Sequence, residues 1–412
     1  MEKIFKSYKV ELEPNNVQIT KFKQNIGCAR WAYNWGLNLK LQSYKNKETS
    51  PSAITLHKEL NKLKKTEIPW MYESSKCSPQ EALKDLDKAF QGFFIRCKNS
   101  SKGKGFPKFK SKHNEKQSFR LTDFHKIKLT RNYIQLPKIG KVKLKEINYI
   151  PKDKNLMSAT VSKHAGKWFV SVQVEEDMET PNISINEVIG VDLGIKTLAT
   201  CSDKTTFENP KALKKNLSKL KKRQRQLSKS KKGSKNYEKK KQKLAKLHYK
   251  ISCIRKDTLH KITTKIINEN QVIVLEDLKV SNMMKNHKLA QAISDVGLYE
   301  FRRQIEYKAK WNKRKIFFVN TFFPSSKKCS CCNNIKSNLT LSERVYNCDK
   351  CGLTIDRDLN ASLNLKQFYT DSLSGINASG DEKFILEKSK RCSSVKEESN
   401  IKPRVYFLKK QL

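Results

Sequence analysis

The sequence predicts a multidomain α+β protein, and three observations carry that reading. Residues 119–178 alternate apolar and polar side chains, residues 17–98 and 211–256 repeat apolar side chains at helical spacing, and two short runs, starting at Val188 and Val272, are apolar on both faces up to the acids that end them. Period-two alternation marks half-buried strands, a three-to-four spacing marks one face of a helix, and a run apolar on both faces marks a central strand covered on both sides. A chain of 412 residues is long enough for two or three such domains.

Taken in order, the first strand is Ser7–Leu12, ended by Pro14. Phe22, Ile26, Ala29, Ala32 and Leu37 then recur at helical spacing, with Trp31 and Trp35 four apart, and Leu83, Leu86, Phe90 and Phe93/Phe94 give a second apolar face. These aromatics read as core packing. A basic, glycine-bearing connector covers 99–118. After it come short strands at Tyr133–Leu136 and Lys141–Leu144, then a hairpin of Ser158–Val161 and Trp168–Val174 around Lys163-His164-Ala165-Gly166-Lys167. This β segment is expected to pair with the first strand, with the helical region inserted between them. Pro181 and its polar surroundings mark a boundary.

Residues 211–256 hold 20 Lys or Arg and a single acid, Glu238. Leu213, Leu217, Leu220 and Leu227 face Leu244, Leu247, Ile251 and Ile254 across Lys231-Lys232-Gly233-Ser234-Lys235, which predicts two antiparallel helices joined at that glycine. Solvated helices normally mix charge signs for i,i+4 support. Helices of one sign need an external anion, which points to a phosphate backbone. After about Lys366 the chain loses periodicity and reads as irregular.

The whole chain carries 86 Lys and Arg against 40 Asp and Glu, a formal charge of +46. Such an excess repels itself in a compact fold unless a polyanion is bound. An anionic membrane is the weaker candidate, because no stretch reaches the 18 or so apolar residues of a spanning helix and the basic residues are spread over the full length. The start, Met1-Glu2-Lys3-Ile4, has no apolar signal-peptide core. Nucleic acid is the expected partner.

Five of eleven cysteines cluster between Cys329 and Cys351, and the other six stand singly. That is the pattern of a reducing compartment with one metal site. Cys329, Cys332, Cys348 and Cys351 give Cys-x2-Cys-x15-Cys-x2-Cys, the spacing of a four-thiolate zinc site. Cys331 competes for the first pair, and Cys329 with Cys332 is preferred because its spacing matches the second. Four protein ligands leave no open position, so this Zn²⁺ is structural.

The apolar run from Val188 ends in Asp192 and Gly194, the run from Val272 ends in Glu276 and Asp277, and Asp356 and Asp358 stand at a helix start. Single acids at such places are common. Acids from two buried strands and one helix start suggest a cluster for hard cations. Hydrolysis of a phosphodiester needs an activated water and a stabilised leaving alkoxide, and two Mg²⁺ held by carboxylates supply both.

Asp192-Leu193-Gly194, Leu275-Glu276-Asp277-Leu278 and Asp356-Arg357-Asp358-Leu359-Asn360-Ala361 together resemble a split RuvC-type nuclease of RNase H-like fold. The wider pattern resembles the TnpB family, transposon-encoded RNA-guided DNA endonucleases related to compact type V CRISPR effectors. Gly27 to Asn34, Lys285 to Ala290, Phe322 to Lys327 and Leu341 to Arg344 match as well, so the resemblance spans about residues 5–366. It implies a β-barrel-like wedge domain (1–15 and 119–180) with a helical recognition insertion (16–118). It further implies an RNase H-like nuclease domain (186–320 and 353–368) with an inserted zinc ribbon (321–352), a lid at 279–295 that the residues alone read equally as a surface loop, and an irregular tail at 369–412.

By the same resemblance Asp192, Glu276 and Asp358 are the catalytic acids and hold Mg²⁺, while Asp277 and Asp356 are structural neighbours. Arg344, Lys327 and Lys328 become candidates for touching the strand to be cut, and His164 and His287 read as surface residues. The implied partners are a guide RNA and double-stranded target DNA with its displaced strand, bound by a monomer in the prokaryotic cytosol or nucleoid. A nuclease-dead RNA-guided repressor would share the binding features but not the intact acids. A strand-joining transposase would also use three carboxylates.

Overall fold

The computed structural model describes residues 3–99, 105–113, 117–178, 186–340 and 342–379, and the chain divides into two compact units, Met1–Met178 and Glu179–Leu412. The boundary expected at Pro181 lies outside the described residues.

The first unit begins with β1 (Lys3–Glu13), longer at both ends than the expected Ser7–Leu12. Three helices follow: α1 (Asn16–Lys45), α2 (Ala53–Thr66) and α3 (Cys77–Lys98). Asn15 starts α1 with a capping box, its side chain accepting from Gln18 N while Gln18 Oε1 accepts from Asn15 N. The chain then returns as β2 (Gln117–Leu121), β3 (Lys128–Leu129), β4 (Tyr133–Leu136), β5 (Gly140–Leu144), β6 (Asn155–His164) and β7 (Lys167–Asp177). These strands form one antiparallel sheet in the order β2-β6-β7-β1-β5-β4-β3. Among the described residues no ladder joins the edge strands β2 and β3, so the expected barrel-like form is seen as an open sheet.

The β6–β7 turn falls on Ala165 and Gly166, both at positive φ (49° and 82°), the geometry that a two-residue hairpin needs to match strand twist. Val170, Val172 and Val174 of β7 alternate inward, and Phe22 of α1 packs on Trp168 at 4.9 Å, so helices and sheet share one core. Phe94 was expected in that core and is 56 % exposed. The end of α3 runs past the helix bundle, where Phe90 and Phe93 gather instead around Phe106 of the basic connector.

The second unit is built on a five-stranded sheet in the order β10-β9-β8-β11-β12, from β8 (Asn186–Leu193), β9 (Thr197–Cys201), β10 (Thr206–Glu208), β11 (Asn270–Glu276) and β12 (Lys315–Val319). β8, β11 and β12 run parallel, and β9 and β10 are antiparallel additions at one side. Between β10 and β11 lies the basic hairpin of α4 (Ala212–Ser228) and α5 (Lys235–Glu269). Leu220 and Leu227 meet Leu244, Leu247 and Ile251 across the seam, and Gly233 takes φ +83° at the turn. α5 continues well beyond Lys256, because Leu259, Ile262, Ile266 and Ile267 bury against the sheet.

Between β11 and β12 come α6 (Val280–Met283), α7 (His287–Val296) and α8 (Leu298–Trp311). The segment expected as a lid is therefore largely helical. Its far end is anchored: buried Asp295 accepts from the backbone N–H groups of Leu213 and Lys214, capping α4, and pairs with Arg255 at 3.2 Å. After β12, a two-stranded ribbon of β13 (Val345–Asn347) and β14 (Thr354–Asp356) leads directly into α9 (Arg357–Ser379). The tail expected to be irregular from residue 369 is helical as far as Ser379, since Leu365, Phe368 and Tyr369 bury with Val274 and Val319. The rest of that tail lies outside the described residues.

The sheet is thus covered on both sides. Ile189, Val191, Ile273 and Leu275 face α5 and α8, while Val188, Val272 and Val274 face α9. This explains why both central runs are apolar throughout. Among the described residues no helix is long and apolar enough to cross a membrane.

Candidate active site and metal centre

Asp192 and Glu276 owe their proximity to strand register. Val191 pairs with Leu275 in the parallel β8–β11 ladder, so the next residues on each strand stand side by side. Adjacent strands are about 4.8 Å apart, and equivalent positions project to one face. That face is the one α9 covers, because Val188, Gly190 and Asp192 alternate with the buried Ile189 and Val191.

The third acid arrives by close helix packing. A Cβ at Gly190 would lie 2.0 Å from Ser362 O and 2.7 Å from Lys366 N, so only glycine admits the α9 backbone to β8. Asp358 lies one helical turn before Ser362, and Asp192 lies two residues beyond Gly190. The first turn of α9 therefore delivers Asp358 to the ends of the strands.

The electrostatics record the cluster. Burial, followed by the charges of Glu276 and Asp358, pushes the Asp192 carboxyl up to about 8. Burial also raises Glu276, opposed by the hydrogen bond that Ser325 Oγ donates to its Oε1. Like charges gathered without a counter-ion make ionisation costly, and a divalent cation reverses that cost. Carboxylates are the oxygen ligands that a hard cation such as Mg²⁺ takes while keeping several waters; among the described residues, the side chains already gathered closely enough to hold an ion are Cys329, Cys332, Cys348 and Cys351.

Neighbouring polar residues hold this frame. Asp277 pairs with Arg302, whose guanidinium lies 4.0 Å above the Phe318 ring. Asp356 caps α9, accepting from the N–H groups of Asp358 (2.9 Å) and Leu359 (3.0 Å). Arg357 and Arg344 approach Asp358 at 3.4 and 3.9 Å. Lys327 Nζ reaches Ser337 O within the ribbon, and Lys328 lies over Phe323. His287 is exposed at the start of α7, and His164 ends β6.

The four cysteine sulfurs of Cys329, Cys332, Cys348 and Cys351 lie within 4.8 Å of one another. Sγ separations are 3.6 Å for Cys329 to Cys351 and 3.5 Å for Cys332 to Cys348. Tetrahedral Zn²⁺ with Zn–S near 2.3 Å sets sulfurs roughly 3.8 Å apart, so the donor set fits. Backbone N–H groups of Cys351 and Lys350 hold the Cys348 thiol down to about 6, while the neighbouring sulfurs and burial raise Cys332 and push Cys351 up to about 12, so a cation is what would let all four ionise together. Cys331 is exposed and outside the cluster. Purified protein is expected to carry one zinc per chain. Cys348→Ser should lose that zinc and open residues 327–353 to protease, whereas Cys331→Ser should change neither; elemental analysis and limited proteolysis read both.

Two buried asparagines join this ribbon to the carboxylates. Asn360 accepts from Ser330 N and donates to Lys328 O, and Asn364 donates to Ser325 O and Lys328 O. Asn364, Ser325 and Gly190 carry no role in the sequence reading, and Asn360 enters it only as part of the Asp356–Ala361 motif. Ser325 lies inside a segment that was noted, and the four-residue spacing of Asn360 and Asn364 on one helix face was the available signal.

Comparison with known proteins gives three family matches. Residues 169–287 match the OrfB family of IS605 elements, described as a probable transposase; residues 299–365 match a Cas12f1-like TNB domain; residues 1–49 match a helix-turn-helix domain of OrfB. Within that last range the described residues form one strand and one long helix. A Streptomyces pristinaespiralis protein named "Putative RNA-guided DNA endonuclease" is 33 % identical over 370 residues, covering 89 % of both chains. InsQ of Escherichia coli K12 carries the same description and is 32 % identical, covering 88 % of this chain and 92 % of its own. The fold is similar to that in the solved Cas12f1–sgRNA–target DNA complex, with a TM-score of 0.53 and 15 % identity over 85 % of this chain and 82 % of that one.

Proposed function

Because the chain belongs to the OrfB/TnpB family of IS605-type transposons, we propose that it is an RNA-guided DNA endonuclease with one RuvC-type active site. The observation that carries this reading is the placement of Asp192, Glu276 and Asp358 at one sheet end by strand register and by the close approach of α9, where burial first, and then the two neighbouring carboxylates, raise the Asp192 carboxyl to about 8. The sheet order, with parallel β8, β11 and β12 flanked by antiparallel β9 and β10, supports an RNase H-like nuclease domain. The first unit supplies the wedge, with α1–α3 as its recognition insertion.

In this reading the three carboxylates would hold Mg²⁺, which when bound would supply an activated water and compensate the charge on the leaving alkoxide. The chain's own residues fix the acids. Ser325 orients Glu276, Asp356 sets the first turn of α9, and Arg357 and Arg344 flank Asp358 where a phosphate's charge needs compensation. Cys329, Cys332, Cys348 and Cys351 would hold a structural Zn²⁺ that stiffens the ribbon, and Asn360 and Asn364 tie that ribbon to α9. The α4–α5 hairpin, basic on its solvent face, grips phosphate backbone without reading sequence. Sequence choice then falls to base pairing by a bound guide RNA, which suits a charge spread over the whole chain.

The test is to sequence the RNA that copurifies and to challenge the complex with a plasmid library of randomised flanks in Mg²⁺. Cleavage beside one short flank, at a site matching the RNA, is expected. Strand-joined products would favour the transposase reading, and RNA-directed binding without any cutting would favour a repressor.

A further inference from the structure

An open cavity of about 650 Å³ in the first unit is walled by Trp31, Trp35 and Trp70 and also lined by Gly27, Arg30 and Asn34. Trp31 and Trp35 lie nearly parallel, 12° apart with centroids at 5.9 Å, and Trp70 stands at 88° to Trp31 at 6.4 Å. A third ring between the parallel pair would need about 7 Å, two contact layers. The perpendicular corner is different: a planar group laid on one indole meets the edge of the other, a favoured arrangement for aromatic rings. Trp70 is 46 % exposed although it is the most costly kind of side chain to leave in water.

Gly27 gives an independent sign that this space is kept for something else. It sits inside α1, where glycine weakens a helix relative to alanine. Gly36 of the same helix is required by packing, since its Cβ would lie 2.8 Å from Leu83 Cδ2. A Cβ at Gly27 would meet nothing within 4 Å. Among the described residues no contact calls for glycine there, yet it faces the cavity.

The lining carries one charge of each sign, half-buried Arg30 and exposed Glu73, whose carboxylate accepts from Gln24 Nε2 at 3.2 Å. The excess of cations lies on the connector beside it. Asn34, at its rim, grips the basic connector through both backbone groups of one residue, donating to Lys110 O (3.0 Å) and accepting from Lys110 N (2.8 Å). Lys110 Nζ lies 3.7 Å from the Tyr33 ring centroid, and Lys108 and Lys112 flank it in sequence. Aromatic walls beside a cationic track are how proteins take up unstacked bases from single strands.

We propose that this cavity binds one unpaired nucleobase, with the neighbouring phosphates along the connector. The proposal rests on the nucleic-acid-binding reading above. Its source is either the guide RNA or a DNA strand opened by it.

The test uses the full chain and labelled 12-nucleotide single strands of RNA and DNA, each with bases or fully abasic, titrated against wild type, Gly27→Leu and Trp70→Ala. Both variants are expected to bind base-bearing strands about tenfold more weakly and abasic strands as wild type does. A loss confined to RNA assigns the base to the guide, and one confined to DNA assigns it to the target. Gly27→Ala should raise the melting temperature while weakening base-bearing strands, a pairing that a merely structural glycine would not give. Equal affinities across all variants, or equal losses on abasic strands, would overturn the proposal. Salt-sensitive binding of abasic strands would leave the nucleic-acid reading standing even then, and no binding of any strand would sink both.

Discussion

Asp192→Asn is expected to slow strand cleavage by ~10³-fold or more, with guide RNA and target binding within about threefold of wild type. The substitution keeps the size of the side chain and removes the charge that would hold cations between β8 and α9. The same change should stabilise the metal-free fold at alkaline pH. Burial and the charges of Glu276 and Asp358 raise the folded Asp192 carboxyl to about 8, against about 3.9 in an unfolded chain. A group raised on folding binds its proton more tightly in the native state, so its contribution is full below about pH 4 and is lost as pH climbs through about 8. In EDTA, wild type should therefore lose stability from pH 4 to 8 while the Asn variant loses less. The gap should widen steadily as pH rises toward 8 and appear as a higher melting temperature of the Asn variant. Mg²⁺ should close the gap by stabilising only the wild type. Equal melting curves in EDTA at pH 8 would contradict the clustering of the acids.

Gly190→Val is the second large effect expected, and it acts through backbone contact. Its Cβ would stand 2.0 Å from Ser362 O, and a carbonyl in a helix cannot swing aside as a side chain can. Either α9 lifts from β8 or the strand bends away. Overpacking of this kind costs about 1–3 kcal/mol and occasionally more. Any lift carries Asp358 away from Asp192 and Glu276, so cleavage should fall ~10²-fold or more even in protein that remains folded. The lift should also lower the Asp192 carboxyl toward its usual range, since a neighbouring negative charge withdraws, and this is readable by NMR titration in EDTA. A folded Gly190→Val protein with wild-type cleavage would show that α9 does not need its close approach.

The sequence made the acids on β8 and β11 legible because their strands are central. Runs buried on both faces are apolar throughout, and a carboxylate at the end of each stands out. The cysteine spacing was legible because zinc fixes ligand geometry. The full length of α9 was not legible. Its buried face carries Asn360, Ser362, Asn364 and Ser372 as well as Leu365 and Phe368, and polar residues that satisfy each other or the backbone erase the apolar rhythm. Gly190 reads as a strand glycine until the helix above it is seen. Trp31 and Trp35 read as core because they are four apart on a helix. Only the fold brings Trp70 against them from a short turn between α2 and α3 and leaves a cavity. The end of the basic hairpin was hidden for a related reason: α5 changes roles without a break, its first part packing on α4 and its last on the sheet.

Family membership and the carboxylate cluster together make one central claim, that a single site cuts DNA chosen by RNA. The most direct measurement replaces the target-pairing segment of the copurified RNA and maps cut positions on a plasmid carrying both old and new matching sites beside the same flank. Cuts that move to the new site, and vanish with Asp192→Asn, are the expected result. Cuts that stay at the old site, or that survive the substitution, would contradict the account.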